Sequence, residues 1–221
     1  MRLILMLWVM LLPGAPLQAG AWLRGEGGVF VSSSFTLNAR QANTSGTYLE
    51  YGLRPDMTLG FDVQRYTDAG ALQGGTATAF LRRPLGSPDR KSVWSYEIGL
   101  GAGWKNDLVT PHLKTGLSWG RGFQLRDRGG WMNVDAAVFW PLDAGTQVAK
   151  LDTTVGLNFT DATTGMVQLY LAHIDRELFA TLAPSLVYKP KGRDWRIQIG
   201  TESPLDAPDA TSIKLGLWRE F

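Results

Sequence analysis

Apolar and polar residues alternate with a period of two through most of the chain, the signature of strands with two unlike faces. Trp94, Tyr96, Ile98, Leu100, Ala102 and Trp104 fall on one face of such a segment, with Ser95, Glu97, Gly99, Gly101 and Gly103 on the other. The same alternation recurs at Leu59, Phe61 and Val63, at Leu113, Leu117 and Trp119, at Val134, Val138 and Trp140, and at Ile213, Leu215 and Leu217. It predicts strands near 22–36, 45–54, 57–66, 75–84, 92–104, 110–120, 131–141, 147–159, 165–174, 177–188, 193–202 and 210–221. Short turns are expected at Arg54-Pro55-Asp56, at Asp161 to Gly165 and at Pro190-Lys191-Gly192. Longer polar connections are expected at 38–46, 67–74 and 203–208. Long connections at 85–92 and 121–130 fall on the side of the short turns, so a count of ten strands stands beside the count of twelve.

The first residues follow another pattern. Arg2 precedes an unbroken apolar run from Leu3 to Leu12, far shorter than the ~20 residues that span a bilayer as a helix. Pro13, Gly14 and Pro16 break a helix, and small residues follow at Ala19, Gly20 and Ala21. This is the layout of an export signal cut after Ala19, leaving residues 20–221 as one domain. An uncleaved anchor is the alternative. An exported chain without a single cysteine has no disulfide framework, iron–sulfur cluster, lipoprotein cysteine or thiol nucleophile. A net charge of only +2 argues against a nucleic-acid partner held by bulk basicity.

Alternation suits both a soluble sandwich or barrel, apolar inside, and a membrane barrel, apolar outside. Three features favour the membrane. The segments run to about ten residues, as membrane strands do. Aromatics such as Trp94, Trp104, Trp119, Trp140, Phe159, Tyr188, Trp195 and Phe221 lie near the ends of apolar faces, where interfacial girdles form. The polar face is rich in glycine and in charges of both signs, as a crowded wet lumen would be. The fold expected is all-β: a single up-and-down antiparallel transmembrane β-barrel of about twelve strands.

Ile213, Leu215, Leu217 and the terminal Phe221 resemble the assembly signal of Gram-negative outer-membrane barrels, in which a final aromatic follows alternating apolar residues. Arg219 departs from that pattern, and its guanidinium could snorkel to the headgroups. Glu50-Tyr51-Gly52-Leu53 through Leu59-Gly60-Phe61 looks like the hairpins of small outer-membrane barrels. In layout the chain is similar to proteobacterial outer-membrane proteins of porin-like or transporter type. The resemblance implies a location in the bacterial outer membrane, contact with its lipid and lipopolysaccharide, and recognition by the barrel assembly machinery. It carries no activity with it.

With apolar residues facing lipid, the lumen can be read from the other parity. Its acids are Glu50, Asp62, Glu97, Asp135, Asp152, Glu202 and Glu220; its bases are Arg54, Lys114, Lys150, Arg196 and Lys214, with Arg82 beside them. Glu97 is expected beside Lys114, and Asp135 beside Lys150 and Asp152, because a lone charge in a low-dielectric interior is costly. The residues expected to line a solute path are Glu50, Asp62, Glu97, Lys114, Asp135, Lys150, Asp152, Arg196 and Lys214. Twelve strands enclose more room than eight, and lumen glycines add to it. The favoured function is a narrow channel for passive passage of small solutes. Alternatives are a braced barrel without transport, an outer-membrane lipid-modifying enzyme, a scaffold or adhesin, and a soluble exported sandwich. The enzyme reading rests on His112, expected near Lys114 and Ser118, and on His173 beside Asp175; neither has a lipase-like motif around it. No metal or cofactor site is expected, because two histidines far apart in sequence match no known ligand spacing.

Overall fold

The computed structural model describes residues 20–67, 73–87, 90–143 and 145–221; the expected leader, residues 1–19, lies outside them. Twelve antiparallel strands form a closed barrel in which each strand pairs with its neighbours in sequence and the first pairs with the last. They are β1 Val29–Asn38, β2 Asn43–Arg54, β3 Met57–Thr67, β4 Gln73–Pro84, β5 Ser92–Lys105 and β6 Leu108–Leu125. The circuit continues through β7 Arg128–Pro141, β8 Val148–Asn158, β9 Thr163–Ile174, β10 Glu177–Tyr188, β11 Trp195–Pro204 and β12 Ser212–Glu220. Closure runs from Phe30 opposite Glu220 to Asn38 opposite Ser212, so no sheet edge is left unpaired.

The barrel is inside out relative to a soluble one. Ile98, Leu100, Val167, Ile199 and Ile213 are each at least 50% exposed on the outer wall. Glu50, Arg82, Glu97, His112, Lys114 and Lys214 are buried within it. A barrel solvated by water would bury the first set and expose the second. Trp94 and Trp119, opposite one another on β5 and β6, have ring centroids 6.4 Å apart on the outer face. The last strand carries Ile213, Leu215, Leu217 and Phe221 outward, and the Arg219 guanidinium lies 4.2 Å from the Phe221 ring centre. The cation therefore covers the terminal aromatic.

Four sequence expectations need correction. The stretch 121–130 is no long connection: β6 and β7 extend into it from both sides, pairing Arg121 with Met132 and Leu125 with Arg128. Arg126 and Asp127 alone make the turn, with Arg126 at φ 55°. Polar side chains there suggest a loop, yet the ladder needs only backbone groups, and the count of twelve follows. Second, the two rims do not differ in loop length. Two-residue turns occur at 55–56 and 126–127 on the rim near the termini, and at 106–107 and 175–176 on the distal rim. Each rim also has a connection of seven residues, 85–91 and 205–211. Asn106, Arg126 and Asp175 adopt positive φ, which lets a two-residue hairpin form at either rim.

Third, residues 22–28 are not part of the first strand. Gly25, Gly27 and Gly28 break the alternation: the Gly28 N–H donates to the Gly25 carbonyl at 2.9 Å, and Gly27 sits at φ 78°. The chain from Gly20 to Gly28 turns into the barrel instead. Fourth, Arg54 is exposed rather than interior, because a bulge between Gly52 and Arg54 shifts the register and cancels the alternation.

Candidate functional site

The interior polar groups fall into two unlike walls. On the wall from β2 to β6 the register stacks Thr58, Arg82, Glu97 and Gly116 side by side on four neighbouring strands. Arg82 donates to Glu97 from Nε at 3.2 Å and from Nη2 at 2.8 Å, to the Tyr48 hydroxyl at 3.0 Å, and to Glu50. Lys114 pairs with the other Glu97 oxygen at 2.6 Å. Gly116 makes that reach possible, since a Cβ there would sit 2.7 Å from Glu97 Cγ. Glu50, completely buried, also accepts from Tyr48 at 2.6 Å and from Arg24 at 2.5 Å. Gly60 leaves room for the Phe80 ring, on which Tyr48 stacks at 5.9 Å and over which Lys114 lies at 4.7 Å. Every buried charge on this wall is met by an opposite charge and by hydrogen bonds, the condition under which buried ions are tolerated.

The opposite wall is sparser. Asp135 and Asp152 stand directly across from one another on β7 and β8, a like-charge pair on one face. Lys150 lies 5.3 Å from the Phe139 ring centre. Neither aspartate pairs with Lys150 among the ion pairs of the described residues, so the expected Asp135–Lys150 contact is not made. Further round, Lys214 pairs with Glu202 at 2.8 Å and donates to the Tyr170 hydroxyl at 3.0 Å. Arg196 pairs with Glu220 at 3.0 Å. Between the walls lies a cavity of about 340 Å³, bordered by Asp62, Glu97, Lys114, Asp135, Lys150, Asp152 and Lys214. Small-molecule sites span about 300–1,000 Å³, so this one is at the small end. Glu50 lies behind Arg82 and Arg196 beside Glu220; Arg82 and Glu220 border the cavity, while Glu50 and Arg196 do not.

The two histidines do not come together. His112 hydrogen-bonds Thr78 at 3.0 Å rather than Ser118. The register explains it: Gly101 lies between His112 and Thr78 on the intervening strand and has no side chain to fill the gap. His173 is exposed on β9.

The segment Gly20–Gly28 forms a strap across the lumen at the rim that holds the termini. Arg24 N–H donates to Thr58 Oγ1 at 3.0 Å, Ala21 N–H to Asn133 Oδ1 at 3.3 Å, and Ser95 Oγ–H to the Gly20 carbonyl at 3.3 Å. Gly27 and Gly52 tie it to β2, with Gly27 N–H on the Gly52 carbonyl and Gly52 N–H on the Gly28 carbonyl, each at 2.9 Å. Gly120 leaves room for Trp22. At the same rim Trp131, Met166 and Val187 are buried at the near-terminal ends of β7, β9 and β10. Sequence reasoning missed the strap and with it Arg24; the glycine cluster at 25–28 was the signal available. It also left the aromatics Tyr48, Phe80, Phe139 and Tyr170 out of the path, although Tyr48, Phe80 and Phe139 share the parity of Glu50, Arg82 and Asp135, and Tyr170 that of Gln168.

No family model matches the chain, and no curated protein matches it in sequence. Its fold is similar to solved barrels. The KdgM porin superimposes with a TM-score of 0.57 at 10% identity, covering 87% of this chain and 99% of that one. The NanC porin gives 0.56 at 11% identity, covering 86% and 98%. An outer-membrane channel from Pseudomonas putida F1 gives 0.56 at 12% identity, covering 92% and 99%. At such identities the likeness shows the fold alone.

Proposed function

We propose that this protein is a bacterial outer-membrane channel that passes small solutes passively through a narrow lumen. The observation that carries the reading is the inverted barrel: apolar residues outside, and inside a polar cavity of about 340 Å³ bordered by charges of both signs. That is the arrangement of a barrel with lipid around it and water within. The likeness to the two porins and the Pseudomonas putida channel supports the same reading. In it, a leader ending at Ala19 directs export, and the assembly machinery reads Ile213, Leu215, Leu217 and Phe221. The outer wall contacts lipid and lipopolysaccharide. Glu50, Asp62, Glu97, Lys114, Asp135, Lys150, Asp152, Arg196 and Lys214 set the electrostatics of the path. Among the described residues five of the nine sit in ion pairs, and the set of five acids and four bases nearly balances in sign, which leaves selection chiefly to size.

A braced barrel without conduction is the second reading, favoured by the strap and the buried Trp131 at one mouth. Single-channel recording of the refolded protein in a planar bilayer separates them. Discrete, stable openings with a reversal potential near zero under a salt gradient are expected for the channel. A folded, heat-resistant barrel that passes no current would refute it and leave the braced barrel.

A further inference from the structure

Where the strap meets the barrel, one buried carboxylate oxygen makes no hydrogen bond among the described residues. The Asp135 carboxylate has Asn133 on Oδ2 and Ser118 opposite it on β6, but Oδ1 is buried and makes no hydrogen bond. Asp152 directly opposite adds a second negative charge rather than relieving the first. What presses against the orphaned oxygen is Gly20: a Cβ built there would overlap both carboxylate oxygens, and its φ of 70° excludes most other residues. Hydrogen bonds from Ser95 to the Gly20 carbonyl and from Ala21 to Asn133 hold the residue in place. A buried carboxylate oxygen without a partner is satisfied by a proton or by a cation, and no lysine or arginine occupies the spot among the described ion pairs.

We propose that Asp135 is the receptor for the α-ammonium group of Gly20, created when the leader is cut after Ala19, and that this ion pair latches the strap into the mouth of the lumen. The inference rests on the export reading above. In the cut, water adds across the Ala19–Gly20 peptide bond. Its oxygen goes to the Ala19 carbonyl carbon, leaving a carboxylate, and the Gly20 nitrogen leaves as an amine that ends protonated. A secondary amide with one N–H thus becomes an ammonium with three donors and a positive charge. In the uncut chain the Gly20 amide is neutral and makes no hydrogen bond to Asp135 Oδ1; the cut chain brings a positive charge to the same residue. Docking of the strap is therefore coupled to maturation.

The first test is the N-terminal residue of the protein extracted from outer membranes, read by sequencing and intact mass. The expected residue is Gly20; any other start, Trp22 included, overturns the latch while leaving the channel untouched. Absence of the protein from the outer-membrane fraction would overturn both the export reading and the latch. The second test is the rate of α-amine acylation at neutral pH in the folded barrel, read by mass spectrometry of the N-terminal peptide. Acylation needs the unprotonated amine, and each unit by which an ion pair raises the amine pKa lowers that fraction tenfold. Acylation should be at least about tenfold faster in Asp135→Asn than in the wild type. It should be equally fast in a chain carrying one extra alanine before Gly20, which moves the ammonium off the carboxylate without touching the barrel. Heat-modifiable migration verifies that each protein is folded. Equal rates in the wild type and the extended chain would overturn the latch.

Discussion

Arg82 is the keystone of the paired wall, and its removal tests whether that wall is dry. The side chain is 4% exposed, and its partners Glu50 and Glu97 are 0% and 7% exposed. Replacing Arg82 with Met strips Glu97 of two hydrogen bonds and Glu50 of one, and leaves Glu97 with Lys114 and Glu50 with Arg24 and Tyr48. Breaking a buried pair by deleting one partner costs about 3–5 kcal/mol, because the other charge stays buried. The remaining partners place the expected loss at the lower end, about 3 kcal/mol. With an m-value of about 1–3 kcal/mol/M, the urea midpoint of the refolded barrel falls by at least about 1 M. Tryptophan fluorescence and gel migration report the transition. Arg82→Lys keeps the charge but cannot fork between two carboxylates, so it should fall between the two. Adding Glu97→Gln to Arg82→Met should recover part of the loss, a coupling of about 0.5–3 kcal/mol. A midpoint that moves by less than about 0.3 M, roughly 0.3–0.9 kcal/mol at that slope, would mean that lumen water solvates both carboxylates and that the ion pairs brace nothing.

Three further outcomes are expected. Leu100, 63% exposed on the outer wall, should tolerate Ala, whereas Leu100→Arg should hinder folding into lipid by about 2–4 kcal/mol; equal refolding yields of the two would reverse the assignment of the lipid face. Gly101→Val puts bulk between Thr78 and His112, where even a Cβ would lie 2.7 Å from Thr78 Oγ1 and 2.8 Å from His112 Nε2. It should cost about 1–3 kcal/mol by overpacking, read from the thermal midpoint; an unchanged midpoint would show that the interior there is loose. Deleting residues 20–26 should raise single-channel conductance by opening the near-terminal mouth, and an unchanged conductance would place the limiting constriction between the two walls instead.

Much of this architecture was legible because strand parity is a strong physical signal. A period of two assigns every residue of a strand to one face once a single residue is assigned, so Glu97 and Leu100 could be put on opposite faces of one strand from sequence alone. Parity fails where the ladder is irregular. The bulge after Gly52 carried Arg54 outward, and no alternation could have foretold it. It also says nothing about where a ladder ends: the polar run through Arg121 and Gln124 reads as a loop, although backbone pairing continues to Leu125. Nor does it set the contacts made across a strand. Glu97 meets Lys114 over a glycine, and His112 passes Ser118 to reach Thr78 over another. Such contacts depend on which strands place a glycine at the same height, a matter of register between segments rather than of pattern within one.

The glycines tie the fold to the proposed function. Gly60, Gly101 and Gly116 each receive the side chain of a neighbouring strand: the Phe80 ring, the His112–Thr78 bond, and the Glu97 carboxylate on its way to Lys114. Large side chains from one strand thus lie flat across the wall instead of projecting to the barrel axis. A wall built this way can hold several charged and aromatic groups and still leave an open centre, which a ring of inward-pointing arginines and glutamates in a twelve-stranded barrel would fill. The strap crosses one mouth where the walls themselves do not, and its removal takes Arg24 from Glu50 while leaving that carboxylate with Arg82 and Tyr48. Conductance before and after removal of residues 20–26 therefore reads the strap and the walls separately.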